Sequence, residues 1–137
     1  MGTPFTILYD GVLRNLKDYD FFNMSQEEVY DVLSDYVRPA IVAFSGCKQD
    51  LTQRTEDGFT ITLTDTEIEI LINYMSIEWI DSNYIRVPLA LKSTLSSKDF
   101  NAFSQANQLD KLRELRETYR KDNETKLVRY RYKKEKK

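Results

Sequence analysis

Hydrophobic residues lie on two sides of a helix predicted within residues 64–85 (TDTEIEILINYMSIEWIDSNYI). At about 100° per residue, one stripe collects five of them: Ile68, Leu71, Ile72, Met75 and Trp79. The roughly opposite side carries four more: Ile70, Tyr74, Ile77 and Ile80. Thr64 and Glu67 have the spacing of a capping box, which predicts the start of the helix. An apolar surface this wide is typical of a helix that is buried on most sides.

Two interpretations of this helix stay open at the level of sequence. In the first, it is the central helix of a small bundle, and both apolar sides contact the protein's own core. In the second, the stripe that includes Leu71 and Trp79 faces the core, while the side that includes Tyr74 faces another subunit. Both interpretations make this helix the element around which the fold is organised.

A second capping box, formed by Ser25 and Glu28, predicts a helix with one apolar face. That face ends with Phe44, and Gly46 is a plausible stop signal. Pro39 lies inside the pattern and cannot donate a backbone hydrogen bond. We therefore expect a kink at residues 35–38, or two abutting helices.

The first 16 residues suggest a short β-hairpin. Residues 5–9 and 12–16 are mostly apolar, and Asp10 with Gly11 between them is a favoured two-residue turn. Residues 48–58 (KQDLTQRTEDG) are polar and turn-rich, which predicts an exposed loop. Residues 59–63 (FTITL) alternate in polarity, so they are expected to form a short strand.

Asn107 is expected to cap a last helix, with a narrow apolar stripe that includes Leu112 and Tyr119. From residue 126 onward (KLVRYRYKKEKK) the period changes to two, because Val128, Tyr130 and Tyr132 alternate with basic residues. This predicts an extended, amphipathic strand that could add itself to the sheet edge of a partner. A frayed, solvated tail is the alternative. The fold expected overall is mainly α: a small helical bundle with a short N-terminal β-hairpin and an extended C-terminal β-strand tail.

Composition excludes several kinds of chemistry. The chain has 137 residues, a single cysteine, Cys47, and no histidine. An intrachain disulfide, a zinc site of the usual Cys/His kind and a Cys–His or Ser–His nucleophile pair are therefore ruled out. Gly-rich phosphate loops, HExxH and GxSxG are also lacking, so we expect neither an enzyme nor a cofactor. No apolar run reaches the length of about 18 residues that suggests a transmembrane helix.

The net charge of −2 conceals a division along the chain. Residues 1–110 hold 8 Lys/Arg and 17 Asp/Glu, a net charge of −9, whereas residues 111–137 hold 12 Lys/Arg and 5 Asp/Glu, a net charge of +7. An acidic body repels polyanions, and a basic tail is attracted to acidic surfaces.

Several stretches resemble the head–tail connector proteins (neck or adaptor proteins) of tailed bacteriophages. They are TDTEIEIL, MSIEWI, SSKDFNAFSQANQLDKLRELR and the Tyr-rich basic end, and the resemblance spans residues 47–132. It implies a structural virion protein, assembled in the host cytoplasm, that forms a ring of typically twelve copies beneath the portal. Such a ring extends the DNA channel without binding DNA specifically, and presents a surface to the next neck or tail-completion protein.

The resemblance also implies roles for particular residues. Residues 1–125 would be the helical adaptor domain, and residues 126–137 a basic docking tail. The residues implied to dock on the portal are Lys126, Val128, Arg129, Tyr130, Arg131 and Tyr132. The candidates for the face between subunits are Ile70, Tyr74 and Ile77. The loop of residues 48–58 would project toward the channel or the next ring.

Two other functions are compatible with the same sequence. The basic tail could serve a small nucleic-acid-binding or packaging accessory protein, because aromatic residues interleaved with arginines suit base stacking and phosphate contacts. The chain could also be a regulatory or interaction domain that uses this tail on a different partner.

Overall fold

The computed structural model describes residues 2–16, 25–82 and 103–132, and, within the last range, the side chains of residues 111–132. The fold is mainly helical, as expected. In chain order, the elements are β1 (Thr3–Pro4), α1 (Phe5–Asn15), α2 (Gln26–Ser34), α3 (Val37–Ala43), β2 (Gly58–Phe59), α4 (Asp65–Ile80) and α5 (Phe103–Tyr132).

Helix α4 is the centre of the fold, and it packs against α1, α3 and α5. It begins with the predicted capping box, in which Thr64 Oγ1 accepts the Glu67 N–H and the Glu67 carboxylate accepts the Thr64 N–H. Its buried residues lie round most of its girth: Glu67, Ile70, Leu71, Ile72, Asn73, Met75, Ser76, Trp79 and Ile80. Each fully buried large apolar side chain contributes about 1.5–3 kcal/mol to folding. The first interpretation, a central helix within the protein's own core, describes this helix well; residues 83–85 of the predicted stretch lie outside the described residues.

Helices α2 and α3 are the two abutting helices predicted from Pro39. The capping box of Ser25 and Glu28 is present, and α2 ends at Ser34. Pro39 is the third residue of α3, in the first turn, where a backbone N–H has no partner within the helix. The missing donor therefore costs little at this position. Val29 and Leu33 of α2 and Val37 and Ala40 of α3 are buried.

The predicted N-terminal hairpin is wrong in its location. A short antiparallel pair does involve the N-terminus, but it joins β1 to β2, with Thr3 opposite Phe59. Residues 5–15 are helical, because their apolar residues also recur with helical spacing: Phe5, Leu8, Tyr9, Val12 and Leu16 are all buried. Gly11 marks a close approach of two helices, not a turn, since a Cβ there would overlap with the Ile72 side chain of α4.

The N-terminal segment holds the loop before α4 in place. Thr3 Oγ1 donates to the Ile61 carbonyl (3.1 Å) and accepts the Leu63 N–H (2.9 Å). Of the strand expected at residues 59–63, only Phe59 lies in β2. Residues 52–57 are exposed, as predicted for the loop of residues 48–58, although Leu51 is buried.

The predicted C-terminal strand is also wrong. Helix α5 runs without interruption to Tyr132, so residues 126–132 are helical, and residues 133–137 lie outside the described residues. Leu112, Asn123 and Tyr130 are buried, and their spacings of 11 and 7 residues place them on one side of a helix. Burial of this side favours a helix over the strand that the period-two pattern predicted.

Candidate functional site

Three polar contacts, spaced along both helices, align α5 antiparallel to α4. At one end, Arg116 Nη1 lies 2.6 Å from Asp81 Oδ1. In the middle, Asn73 Nδ2 donates to Asn123 Oδ1 (3.0 Å), and Asn123 Nδ2 donates to the Ile70 carbonyl (3.2 Å). The contact at the other end joins Glu67 to Tyr130.

Glu67 and Tyr130 form the centre of a buried polar cluster. The Tyr130 phenol donates to Glu67 Oε2 (2.5 Å), and the other carboxylate oxygen accepts the Thr64 N–H (2.9 Å) and the Gln49 side-chain amide (2.6 Å). The Tyr130 oxygen also accepts the Lys48 N–H (2.7 Å). One carboxylate thus caps α4, holds the loop after α3 and fixes the end of α5.

The cluster shifts the pKa values of both Glu67 and Tyr130. Burial raises the pKa of the Glu67 carboxyl, but hydrogen bonds from Tyr130, Thr64 and Gln49 outweigh burial and leave that pKa below its ordinary value. Burial, and then the hydrogen bond to Glu67, raise the pKa of the Tyr130 phenol far above its ordinary value. Glu67 is therefore ionised and Tyr130 neutral at physiological pH.

Aromatic rings surround the same point. The Tyr130 ring meets the Phe44 ring edge-on, with ring centroids 5.5 Å apart. The centroids of the Phe44 and Tyr74 rings are 6.3 Å apart. The Lys48 ammonium lies 4.9 Å from the centroid of the Tyr130 ring. Edge-on rings and a cation over a ring both add to what burial alone contributes.

The opposite side of the α5 terminus is exposed. Val128 is 51% exposed and Tyr132 is 82% exposed. These residues are four apart, so they lie on one face of the helix. Arg129 and Arg131 are exposed beside them. We call these four residues, Val128, Arg129, Arg131 and Tyr132, the terminal face.

The residues predicted to dock on a portal therefore divide into two groups. The terminal face is accessible, as docking requires. Tyr130 is not accessible, because it is buried against Phe44 and bound to Glu67. Lys126 is half-buried and pairs with Asp122 at 2.6 Å. The period-two pattern could not separate these residues, since it placed Tyr130 with Val128 and Tyr132.

Of the residues predicted on the two sides of α4, one needs correction. Ile70 is fully buried in the protein's own core, so it is not a residue of an intersubunit face. Tyr74 and Ile77 are half-buried. Of the predicted core residues, Leu71, Ile72, Met75 and Trp79 are buried, and Ile68 is half-buried and packs against the core.

Sequence reasoning missed the buried amides that join α4 to α5. Asn73 and Asn123 are buried, and Asn73 Nδ2 also donates to Asp122 Oδ2 (2.9 Å). The local pattern around Asn73 indicates no partner for it, because Asn123 lies 50 residues away in sequence. A polar residue within an otherwise apolar girth was the available signal, because buried polar groups need partners.

Two findings bear on the classes of site considered from sequence. Within residues 2–16, 25–82 and 111–132, no three or more acidic or cysteine side chains are grouped so that they could hold a metal ion. None of the described helices combines the length and apolar character needed to span a membrane.

Comparison of the chain with known protein families, with curated proteins and with solved structures found no match.

Proposed function

We propose that this chain is a structural protein of a tailed-phage neck. It forms a ring under the portal, with twelve copies as the resemblance implies, joins the capsid to the tail and extends the DNA channel. Its partners are the portal protein, further copies of itself and the next neck or tail-completion protein. The structural observation that supports this proposal best is the exposed, basic terminal face on an otherwise acidic chain.

The charge distribution suits both attachment to the portal and passage of DNA through the channel. The net charge of −9 in residues 1–110 disfavours binding of DNA that passes through a channel. Arg129 and Arg131 are exposed at the end of α5, immediately before the basic residues of KKEKK. A positive end on a negative body attaches to an acidic surface and leaves the body free to line the channel.

The contact between neighbouring copies is proposed to include Tyr74 and Ile77. Both are half-buried in the isolated chain, so each retains surface that a neighbouring copy could cover. Ile70 takes no part in this contact, because its side chain has no accessible surface.

Charge reversal on the terminal face tests the attachment. Deleting everything after Thr125 would also remove the buried Tyr130, so loss of binding could then reflect loss of the fold. The double variant R129E/R131E keeps Tyr130, and it should lose co-purification with the portal protein encoded in the same genome. K111E/R113E makes the same charge change at exposed positions of the same helix and should still bind. Equal binding by both variants would remove the attachment assignment.

A nucleic-acid-binding or packaging role is the second candidate, and the exposure of Arg129, Arg131 and Tyr132 favours it. Arginines neutralise phosphates, and an exposed tyrosine can stack on a base. Such binding weakens steeply as salt rises, because phosphate contacts release counterions. Duplex or single-stranded DNA titrated at about 50 mM salt should show no binding if the neck proposal is right.

A further inference from the structure

The conformation of the docking segment restricts how a partner can recognise it. Val128 and Tyr132 lie four residues apart on the exposed side of α5, whereas Tyr130 between them points into the core. An added strand would present all three side chains differently, with Tyr130 on the same face as Val128 and Tyr132. In this structure only Val128 and Tyr132 are available together.

Unwinding the end of α5 would break an established set of contacts. Tyr130 would leave Glu67 and Phe44, and the Lys48 N–H would lose its acceptor. Glu67 would remain a buried carboxylate with one donor fewer. A partner that accepts the helix intact avoids all of these losses.

The charged residues beside Val128 and Tyr132 indicate the chemistry of the partner. Among the described residues, Arg129 and Arg131 form no ion pair, whereas Arg120 pairs with Glu117 and Glu124, and Lys126 pairs with Asp122. Both arginine side chains are exposed, so a partner's carboxylates can reach them. Glu124, one turn before Val128, is an exposed carboxylate near the same face and would oppose a polyanion.

We infer that the terminal face docks as a helix: Val128 and Tyr132 enter an apolar groove of a protein partner, and Arg129 and Arg131 meet carboxylates on the rim of that groove. This is recognition of an amphipathic helix in a groove, with anchors at positions i and i+4, and it replaces the strand addition expected from the sequence. The inference rests on the proposed function for the identity of the partner, the portal protein.

The first test compares two identical substitutions at exposed valines. V128D places a carboxylate within the apolar part of the terminal face, and it should weaken binding of the full-length protein to the purified portal at least tenfold. V42D makes the same change on α3, where Val42 is 70% exposed, and should bind within twofold of the original protein. Circular dichroism of both variants checks that the fold is retained.

The second test separates a docked helix from a docked strand. Y130F removes the hydroxyl that holds the end of α5 to Glu67 but keeps the ring. If the helix docks intact, portal affinity of the folded variant stays within twofold. Tighter binding would show that Tyr130 has to leave Glu67 during docking, and weaker binding by a folded variant would show that the hydroxyl contacts the partner. Either change overturns the inference.

The outcomes also distinguish this inference from the proposed function. If the original protein does not bind the portal, both fail. If it binds and V128D binds equally well, the neck proposal stands and the docked helix is wrong. If R129E abolishes binding to a DNA duplex while portal binding is unaffected, the terminal face is a nucleic-acid surface, and the inference fails.

Discussion

The Tyr130 phenol donates a hydrogen bond to the Glu67 carboxylate across 63 positions of sequence, at 2.5 Å. Glu67 also completes the capping box of α4. The start of the central helix and the end of the longest helix are therefore joined at one buried carboxylate. This contact makes residues 126–130 part of the folded body and leaves the terminal face at its surface.

Replacing Tyr130 by phenylalanine should lower the free energy of unfolding by about 1–3 kcal/mol, the usual cost of leaving a buried polar group without its partner. Urea unfolding followed by circular dichroism measures this change. Y132F is the matched control: Tyr132 is 82% exposed, so its hydroxyl is solvated and the change should stay within about 0.5 kcal/mol. Equal effects of the two variants would mean that the Glu67 contact does not stabilise the fold.

Stability should fall in acid partly through Glu67. Its folded-state pKa lies below the ordinary value, so its contribution is present above the unfolded-state pKa and is lost as pH falls through the folded-state pKa. The difference in unfolding free energy between the original protein and E67Q should therefore shrink as pH falls from neutral to below 4. E69Q removes the charge of a more exposed carboxyl on the same helix and is the matched control for the substitution itself at neutral pH.

Stability should also fall at high pH, and this loss depends on Tyr130. Its folded-state pKa is raised, so its contribution is complete below the unfolded-state pKa of about 10 and is lost as pH rises above that value. Urea titrations at pH 8 and pH 11 should show a steeper loss of stability for the original protein than for Y130F. Parallel losses would indicate that Tyr130 ionises as freely in the folded protein as in the unfolded chain.

The buried amide pair should behave as a coupled unit. N123A leaves Asn73 and the Ile70 carbonyl each with one partner fewer, and should cost about 1–3 kcal/mol. The double variant N73A/N123A should cost less than the sum of the two single variants, because each single change already breaks the shared hydrogen bond. E124A, at the exposed neighbouring position, is the control. Strict additivity would show that the two amides do not interact in solution.

Gly11 should resist a substitution that ordinarily stabilises helices. Alanine at an exposed helical position gains about 1 kcal/mol over glycine, but here its Cβ would overlap with Ile72. Overpacking of this kind costs about 1–3 kcal/mol, so G11A should be neutral or destabilising. In an I72V background, which removes the nearest methyl group, G11A should be less harmful. A G11A variant about 1 kcal/mol more stable than the original would contradict the close packing of α1 on α4.

Local signals with a clear physical meaning predicted the helical core. The capping boxes of Ser25 and Thr64 and the position of Pro39 are read from three or four neighbouring residues, and the structure confirms them. The wide apolar girth of α4 likewise predicted its central position. Such features depend on the chain within one or two turns, so sequence alone is sufficient.

The wrong predictions of a hairpin within residues 5–16 and of a strand over residues 126–132 have a common cause. Asp10 with Gly11 fits a turn, and residues 126–132 alternate like a strand, but each segment also carries buried residues with helical spacing. Gly11 is explained by Ile72, and Tyr130 by Glu67, which are distant in sequence. Tertiary packing decided between two local patterns, and only the structure shows those partners.

The most direct measurement of the central claim is negative-stain imaging of this protein co-expressed with the portal protein encoded in the same genome. The neck proposal predicts a ring of this protein capping the portal, and its loss in the R129E/R131E variant. A bare portal, with this protein remaining a soluble monomer, would contradict the proposal.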